Sequence, residues 1–307
     1  MSAVEGGSRV RDRRPEPPSR LFGLLGTHIE GSLSPLMHEA EAARQRLMLS
    51  YRLLDTALMG LDDPDWEGLI HWARRFTFTG LNITHPGKQA VIPALDELDD
   101  DATLLGAVNT VVFDGGRAIG RNTDHVGFSE ALDALHRSGA AVGMDRVVQL
   151  GAGGAGAAIA YSLLRAGAKR ISLVDVDPER GRALADRLGR AFDRARMEVL
   201  SPDEAPAALR VAQGLVNCTP IGMTGVSEGS PIPLDALHPG LWVGDVIYRP
   251  LETTLVRAAR ELGCPVFGGA QMVVGQAAAS FGIFTGRRAD RTAMLHDFEA
   301  EARLRWG

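Results

Sequence analysis

One segment in the middle of the chain, residues 144–177, constrains the fold more than any other part of the sequence. It reads MDRVVQLGAGGAGAAIAYSLLRAGAKRISLVDVD. An apolar strand, a glycine-rich turn, an apolar helix and a second strand follow one another in it, which is the order of a βαβ unit. Parallel strands joined by helices build α/β folds. The segment therefore predicts an α/β protein with a dinucleotide-binding unit.

The turn of this unit fits the pattern G-x-G-x-x-G. A lone match is weak, but this one follows an apolar strand and opens a helix, which is the context the pattern requires. Glycines allow a tight turn and a close approach of the backbone to a pyrophosphate, and the helix N-terminus offers N–H groups to it. We predict that the turn binds a dinucleotide through Gly151, Ala152, Gly153, Gly154, Ala155 and Gly156. The alternative is a glycine-rich turn without a ligand.

The second strand of the unit ends in Asp175, 24 positions after Gly151. An acidic residue near this offset accepts hydrogen bonds from the ribose hydroxyls and repels a 2′-phosphate. Arg180 follows in the next helical stretch, where it can contact a phosphate. The pattern predicts NAD as the preferred cofactor, with NADP as a second option. The alternatives are a solvated strand-end carboxylate for Asp175 and a solvated helix residue for Arg180.

Composition narrows the class of protein. The 307 residues are 45% hydrophobic, which is ample for a large core and about two domains. A net charge of −5 gives no basic field for nucleic acid or an anionic membrane. No apolar run approaches the ~20 residues of a membrane span. Two cysteines, Cys218 and Cys264, predict a reducing cytoplasm, and the histidines form no metal-like cluster, so we predict no metal.

Turn signals and periodicity divide the rest of the chain into alternating elements. Residues 1–20 are polar and rich in Arg, Pro and Gly, which predicts a mobile tail. Strands are predicted at 21–26, 51–55, 78–83, 197–200, 214–217, 242–247 and 265–267, and a hairpin at 108–113 and 117–121. Helices are predicted from Ser34-Pro35 onward and at 64–75, 86–95, 126–138, 181–191, 252–262, 270–284 and 289–305.

Seven further motifs, in the same order along the chain, resemble the shikimate dehydrogenase family. They are SLSP at 32–35, NITHPGK at 82–88, GAVNT at 106–110, NTD at 122–124, NCTPIGM at 217–223, DVIYRP at 245–250 and MVVGQ at 272–276. Each motif is weak alone, but seven in order are specific, and they extend the resemblance over about residues 21–305. The stretches LVDVDPER and HEAEAAR make the chain most similar to the NAD-preferring quinate/shikimate dehydrogenases.

This resemblance implies a two-domain fold with the active site in the interdomain cleft. Residues 21–124, completed by helices in 272–307, would bind the substrate, and residues 125–271 would form the Rossmann domain. The family reaction is a reversible hydride transfer between a nicotinamide and a ring carbon that bears a hydroxyl. The partners would be small molecules (shikimate, 3-dehydroshikimate or quinate), not nucleic acid or membrane. The oligomeric state stays open, since the family includes monomers and dimers.

The resemblance also assigns residues. Lys88 and Asp124 would be the catalytic pair at the reacting hydroxyl; which of them holds the proton cannot be read from sequence, because a close pair titrates as a unit. The alternative is a structural ion pair. Substrate contacts would come from Ser32, Ser34, Thr84, Asn109, Tyr248 and Gln276, with Asn82 nearby. The cofactor side would be lined by Asn217, Thr219, Val246, Gly269 and Met272.

Three positions allow more than one interpretation. Ser34 can instead be an N-cap, and His85 is expected to be structural. Gly87 stands where many relatives carry a bulkier residue, which would widen the cleft or loosen its loop. Ser34, where a threonine is the other option, favours shikimate over quinate. The predicted function is an NAD-preferring shikimate dehydrogenase of the shikimate pathway. Alternatives are a quinate or dual quinate/shikimate dehydrogenase, and a non-catalytic sensor; a methylene-tetrahydrofolate dehydrogenase fits the motifs less well.

Overall fold

The computed structural model describes residues 19–306, so the predicted tail at 1–20 lies almost wholly outside the described residues. The first sheet is built from β1 (Arg20–Gly26), β2 (Leu49–Asp55), β3 (Gly80–Ile83), β4 (Glu97–Leu98), β5 (Thr110–Asp114) and β6 (Arg117–Arg121). Their order is β2-β1-β3-β5-β6-β4, with β1 parallel to β2 and β3, and a hairpin of β5 and β6. The helices that accompany it are α1 (Ser34–Arg44), α2 (Trp66–Arg75), α3 (Gly87–Ala90) and α4 (Asp100–Leu105).

The second sheet has only parallel neighbours. Its strands are β7 (Arg146–Leu150), β8 (Arg170–Val174), β9 (Met197–Leu200), β10 (Gly214–Asn217), β11 (Trp242–Asp245) and β12 (Val266–Phe267), in the order β12-β11-β10-β7-β8-β9. The helices of this part are α5 (Asp124–Arg137), α6 (Gly154–Arg165), α7 (Pro178–Leu188), α8 (Ala205–Leu209) and α9 (Thr254–Glu261). Helices on both faces bury the sheet, which is why its central strands read as apolar runs.

The chain ends with α10 (Gly269–Thr285) and α11 (Arg291–Trp306), which pack back onto the first part of the chain. Met37 and Ala42 of α1 share one buried cluster with Phe281 of α10 and with Met294 and Phe298 of α11. The start of α10 packs instead against the second core, through Met272. One helix therefore connects the cores of the two sheets. Within residues 19–306, no helix combines the length and apolar character that crossing a membrane requires.

The predicted α/β architecture is confirmed, and most predicted elements are present with their ends shifted by a few residues. The predicted helix at 86–95 is wrong as a single element: it is divided into α3 and a 3₁₀ turn, Ile92–Ala94. Pro93 at that point lacks the N–H that a continuing helix needs. The helix α4 was not predicted, although Asp99 caps it and Gly106 ends it in a left-handed conformation. Those two residues are recognised start and stop signals.

A histidine is buried where α1 meets the C-terminal helices. His38 is 1% exposed, and its ring stacks on Tyr51 at 4.6 Å and lies 6.1 Å from the ring of Phe281. Burial lowers the pKa of His38 to about 3. The folded protein therefore holds this ring neutral, whereas the unfolded chain protonates it at an ordinary pKa. Folding stability is fully present above about pH 6.5 and falls as the pH decreases towards about 3.

We expect His38→Phe to remove this dependence on pH. One proton taken up only by the unfolded chain changes the free energy of unfolding by about 1.4 kcal/mol per pH unit. In urea unfolding, the free energy of unfolding of the parent protein should decrease steeply between about pH 7.5 and about pH 5, and that of the variant should decrease less. His296→Gln, which alters an exposed histidine of α11, should show the same dependence of the free energy of unfolding on pH as the parent protein. Equal slopes in His38→Phe and the parent protein would contradict the assignment.

Candidate active site

A cavity of about 810 Å³ lies between the two sheets, with walls from both. Residues predicted for substrate or catalysis line it together: Ser32, Ser34, Thr84, Lys88, Asn109, Asp124, Tyr248 and Gln276. From the predicted cofactor side it is lined by Ala152, Gly153, Gly154, Ala155, Arg180, Val246 and Met272. Six predicted residues do not line it: Gly151, Gly156, Asp175, Asn217, Thr219 and Gly269. The fold thus brings most of the predicted site into one space.

Lys88 and Asp124, which both line the cavity, form an ion pair. Lys88 Nζ contacts Asp124 Oδ2, and the two side chains are 20% and 9% exposed. Asn109 Nδ2 donates to the other carboxylate oxygen, Oδ1, at 2.8 Å. Asp124 is the first residue of α5, and its N–H donates to Asn122 Oδ1 at 3.0 Å. A carboxylate in the first turn of a helix is also favoured by the helix dipole.

The short helix α3 places Lys88 opposite Asp124. Val108 N donates to the Lys88 carbonyl at 2.8 Å, which ties α3 to the segment before β5. Gly87 is buried, and a side-chain carbon there would lie 2.6 Å from the ring of Trp66. The tryptophan ring occupies the space that a bulkier residue would need. The small residue before the lysine therefore accommodates Trp66 and does not enlarge the cavity, contrary to the expectation that it would.

A chain of hydroxyl and amide groups runs along one side of the cavity. Ser32 Oγ donates to Ser34 Oγ at 3.1 Å. Ser34 is the first residue of α1 and makes no capping bond, so its alternative interpretation as an N-cap is wrong. Tyr51 OH donates to Asn82 Oδ1 at 2.8 Å, and the Asn82 amide donates to Thr110 Oγ1 at 3.2 Å. Asn82 therefore uses its polar atoms on the protein, while both serine hydroxyls face the cavity.

The glycine-rich loop forms the opposite wall. Gly151 adopts a φ of +92°, which favours glycine, and its N–H donates to Val174 O at 2.7 Å. The helix α6 begins after Gly153 without a side-chain cap, so its first N–H groups are available to an anion. A side-chain carbon at Gly154 would lie 3.9 Å from Lys88 Cδ. The loop and the catalytic candidate Lys88 therefore lie close together in the lining of the cavity.

Asp175 at the end of β8 is 6% exposed and hydrogen-bonded to the backbone. Ala152 N donates to its Oδ2 at 2.7 Å and Asp177 N to its Oδ1 at 2.9 Å. Its alternative interpretation as a solvated carboxylate is wrong, because the side chain braces the glycine-rich loop from behind. Arg180 Nη1 lies 3.5 Å from Asp175 Oδ1, and Val176 between them in the chain is 84% exposed.

Asn217 and Thr219 shape the neighbouring turn. Asn217 Oδ1 accepts from Thr219 N at 3.0 Å and from Thr219 Oγ1 at 2.7 Å, and Asn217 Nδ2 donates to Asp245 Oδ1 at 3.1 Å. Burial raises the pKa of Asp245 to about 6. A side-chain carbon at Gly269 would lie 2.3 Å from the Val246 carbonyl oxygen, so glycine lets α10 begin against β11. These residues support the wall to which Val246 and Met272 contribute.

Sequence reasoning missed some of the lining, including Met37, Met223 and Arg187. Arg187 has no carboxylate partner among residues 19–306, and burial lowers its pKa. It follows Arg180 and Ala183 on α7 at helical spacing, and all three line the cavity, so the spacing was a signal that could have found it. No group of three or more histidine, cysteine or acidic residues that could hold a metal occurs in the described part of the chain.

Comparison with known proteins gives consistent matches. The family model described as "Shikimate dehydrogenase substrate binding domain" matches residues 24–111, and "Shikimate 5'-dehydrogenase C-terminal domain" matches residues 269–296. The shikimate dehydrogenase (NADP(+)) of Streptomyces avermitilis is 50% identical over 91% of this chain and 94% of its own length. The quinate/shikimate dehydrogenase (NAD(+)) of Corynebacterium efficiens is 42% identical over 91% of this chain and 98% of its own length.

Among solved structures, the quinate dehydrogenase from Corynebacterium glutamicum in complex with NAD superposes with a TM-score of 0.86 at 40% identity. The match covers 92% of this chain and 99% of that one. The similarity therefore extends over both sheets and the cavity between them.

Two glycines of the loop should respond differently to alanine. A side-chain carbon at Gly156 would lie 2.3 Å from the Gly151 carbonyl oxygen, whereas at Gly153 no heavy atom lies within 4 Å. Gly156→Ala should lower Tm, because backbone must move to relieve the contact. Gly153→Ala should keep Tm and weaken dinucleotide binding, because the added methyl group occupies open space over the loop. Thermal unfolding and cofactor titration measure the two effects; a stable Gly156→Ala variant would contradict the loop geometry.

Proposed function

The chain belongs to the shikimate dehydrogenase family of oxidoreductases that act on CH–OH groups, and from that premise we propose that it is an NAD-preferring shikimate dehydrogenase. It would interconvert shikimate and 3-dehydroshikimate in the shikimate pathway of a reducing cytoplasm. In this proposal residues 21–124, completed by 272–307, bind the ring acid, and residues 125–271 bind the dinucleotide. The observation that carries the proposal is the Lys88–Asp124 pair facing the glycine-rich loop in one cavity.

The residues present fit a dinucleotide. The uncapped start of α6 offers N–H groups to a pyrophosphate, and the space over Gly153 is open. A dinucleotide bound here would supply the hydride acceptor or donor for the ring carbon. The pair of Lys88 Nζ and Asp124 Oδ2 accepts the hydroxyl proton when the alcohol is oxidised and returns it when the ketone is reduced. The hydrogen bond from Asn109 keeps the Asp124 carboxylate turned towards Lys88. A positioned acid/base pair contributes about 10²–10⁴-fold to the rate.

Lysine is uncommon in this chain, which supports a specific role for Lys88 in proton transfer. Of the 33 cationic residues only Lys88 and Lys169 are lysine, and the others are arginine. An arginine would form an ion pair equally well, but it does not give up its proton in proteins. A lysine can lose and regain one when it is partly desolvated. The use of lysine at position 88 therefore fits proton transfer better than a purely structural bond.

Ser32 and Ser34 supply hydrogen-bond donors for the carboxylate of the ring acid. The hydroxyls of Ser32 and Ser34 are 3.1 Å apart, so one carboxylate can accept from both. Tyr248 lines the same cavity, and Thr84 and Gln276 offer polar atoms to ring hydroxyls. A site built to bond hydroxyls rejects analogues that lack them. The serine at position 34 supports shikimate as the substrate.

The charge beside β8 supports NAD. Residues 175–177 carry two carboxylates and no cation, and Arg180, the cation next to them, lies 3.5 Å from Asp175 and 3.9 Å from Asp177. Its charge is therefore already balanced by carboxylates. A 2′-phosphate placed here would face a net negative group. Relatives named for NADP and for NAD both occur at 42–50% identity, so this local charge is the ground for the preference.

A second candidate is a quinate or dual quinate/shikimate dehydrogenase. The high structural similarity to a quinate dehydrogenase favours it. The decisive measurement is kcat/KM for shikimate and for quinate, each with NAD and with NADP. We expect the largest value for shikimate with NAD. A larger value for quinate would favour the second candidate, and no activity in any combination would favour the non-catalytic sensor.

Removing the lysine tests the chemistry. Lys88→Ala should lower kcat by about 10²–10⁴-fold and change KM much less, because the loss is in proton transfer. Lys88→Arg keeps the charge but cannot exchange its proton, so it should be nearly as slow. Lys169→Ala is the matched control, since Lys169 is exposed and paired with Asp145 far from the cavity. Parent-like turnover in Lys88→Arg would refute proton transfer by Lys88.

Adding a cation tests the cofactor argument. Val176→Arg places a guanidinium at an exposed position beside the loop. A hydrogen bond to a charged group contributes about 1.5–3 kcal/mol, so the ratio of kcat/KM for NADP over NAD should rise by about tenfold or more. Val176→Leu is the neutral control and should leave the ratio unchanged. An unchanged ratio in Val176→Arg would remove the electrostatic explanation.

A further inference from the structure

One buried polar side chain of the second sheet has no part in the chemistry above. Gln149 lies on β7, the strand that leads into the glycine-rich loop, and it is 0% exposed. Its neighbours across the sheet are Leu173 and Val216. Placing an amide in an apolar environment is unfavourable unless hydrogen bonds compensate for lost water. The bonds that Gln149 makes therefore indicate why a glutamine stands there.

Both bonds go to the loop. Gln149 Nε2 donates to the carbonyl oxygen of Gly151 at 2.9 Å and to that of Gly156 at 2.9 Å. Both partners are acceptors, so the NH₂ group must face them. Gly151 and Gly156 are the first and last glycines of the G-x-G-x-x-G pattern. One side chain thus joins the two ends of the loop.

The oxygen of the same amide makes no hydrogen bond to the described residues. Gln149 Oε1 is buried and has no hydrogen-bond partner among residues 19–306. A buried acceptor without a partner is destabilising, whereas an apolar side chain of similar length would avoid this cost. Stability of the sheet alone would therefore favour a residue such as methionine. The glutamine is explained by its two bonds to the loop.

We propose that Gln149 is a positioning residue that holds the glycine-rich loop in its binding conformation before the dinucleotide arrives. With Gly151 and Gly156 joined from below, the N–H groups at the start of α6 keep their direction towards the pyrophosphate. Binding then does not have to order the loop, which is how preorganisation raises affinity. The inference rests on the proposed function only in that the loop binds NAD or NADH.

The test is Gln149→Met in the full-length protein, with NADH as the probe. We expect the Kd for NADH to rise about tenfold, which corresponds to ~1.4 kcal/mol. Tm should change little, because removal of the unpaired buried Oε1 offsets the loss of the two hydrogen bonds to the loop. The KM for the ring acid should not change. Val148→Ala is the matched control: Val148 is the preceding residue of β7, and its side chain lies in a different core cluster from that of α6. It should lower Tm and leave the Kd unchanged.

Two results would overturn the inference. One is a parent-like Kd in Gln149→Met. The other is a loss of NADH affinity in Val148→Ala that matches its loss of Tm, because affinity would then follow overall stability. If the parent protein binds neither NADH nor NADPH, the proposed function fails at an earlier step, and the two failures are distinguishable by this parent titration.

Discussion

The carboxylate of Asp124 is the point on which the organisation of the cavity depends. A buried charge is stable only when it is paired and hydrogen-bonded. Lys88 and Asn109 each bond one of its oxygens, and Asn122 holds its backbone N–H. These residues come from α3, from the segment before β5 and from the segment before α5. Because one carboxylate needs all of them, three separate segments are fixed relative to one another where the chain passes from the first sheet to the second.

In the second sheet, side chains hold the backbone of the glycine-rich loop in place. A loop that binds a pyrophosphate must leave its own N–H groups free, so the loop has to be supported from behind. Asp175 accepts from Ala152 N, and Gln149 donates to the carbonyls of Gly151 and Gly156. Both supports come from strands that lie next to each other, since β7 and β8 are neighbours in the sheet. Their carboxyl ends meet at the same edge, which is the edge where α/β folds bind ligands.

Local signals in the sequence were sufficient to predict the fold and most residues that line the cavity. They were insufficient to predict which side chains form hydrogen bonds with one another. The glycine-rich turn and the Asp114-Gly115-Gly116 hairpin predict elements because each conformation needs those residues. The hydrogen-bond partner of Asn82, in contrast, is Tyr51, 31 positions earlier in the chain. Tyr51 reaches Asn82 because the sheet order β2-β1-β3 leaves only one strand between them. Such contacts follow from sheet order and helix rotation, which no short window of sequence contains.

The structure also changes the physical basis of the cofactor argument. The sequence predicts that Asp175 favours NAD by accepting bonds from the ribose hydroxyls and repelling a 2′-phosphate. In the folded chain both of its oxygens already accept from backbone N–H groups, so its first task is to hold the loop. A carboxylate oxygen can accept a further bond, so the proposed contact of Asp175 with the ribose would be additional to that task. In the proposed NAD site, the feature that would discriminate against a 2′-phosphate is the local balance of charge: two carboxylates, one guanidinium already close to both, and an uncharged exposed Val176.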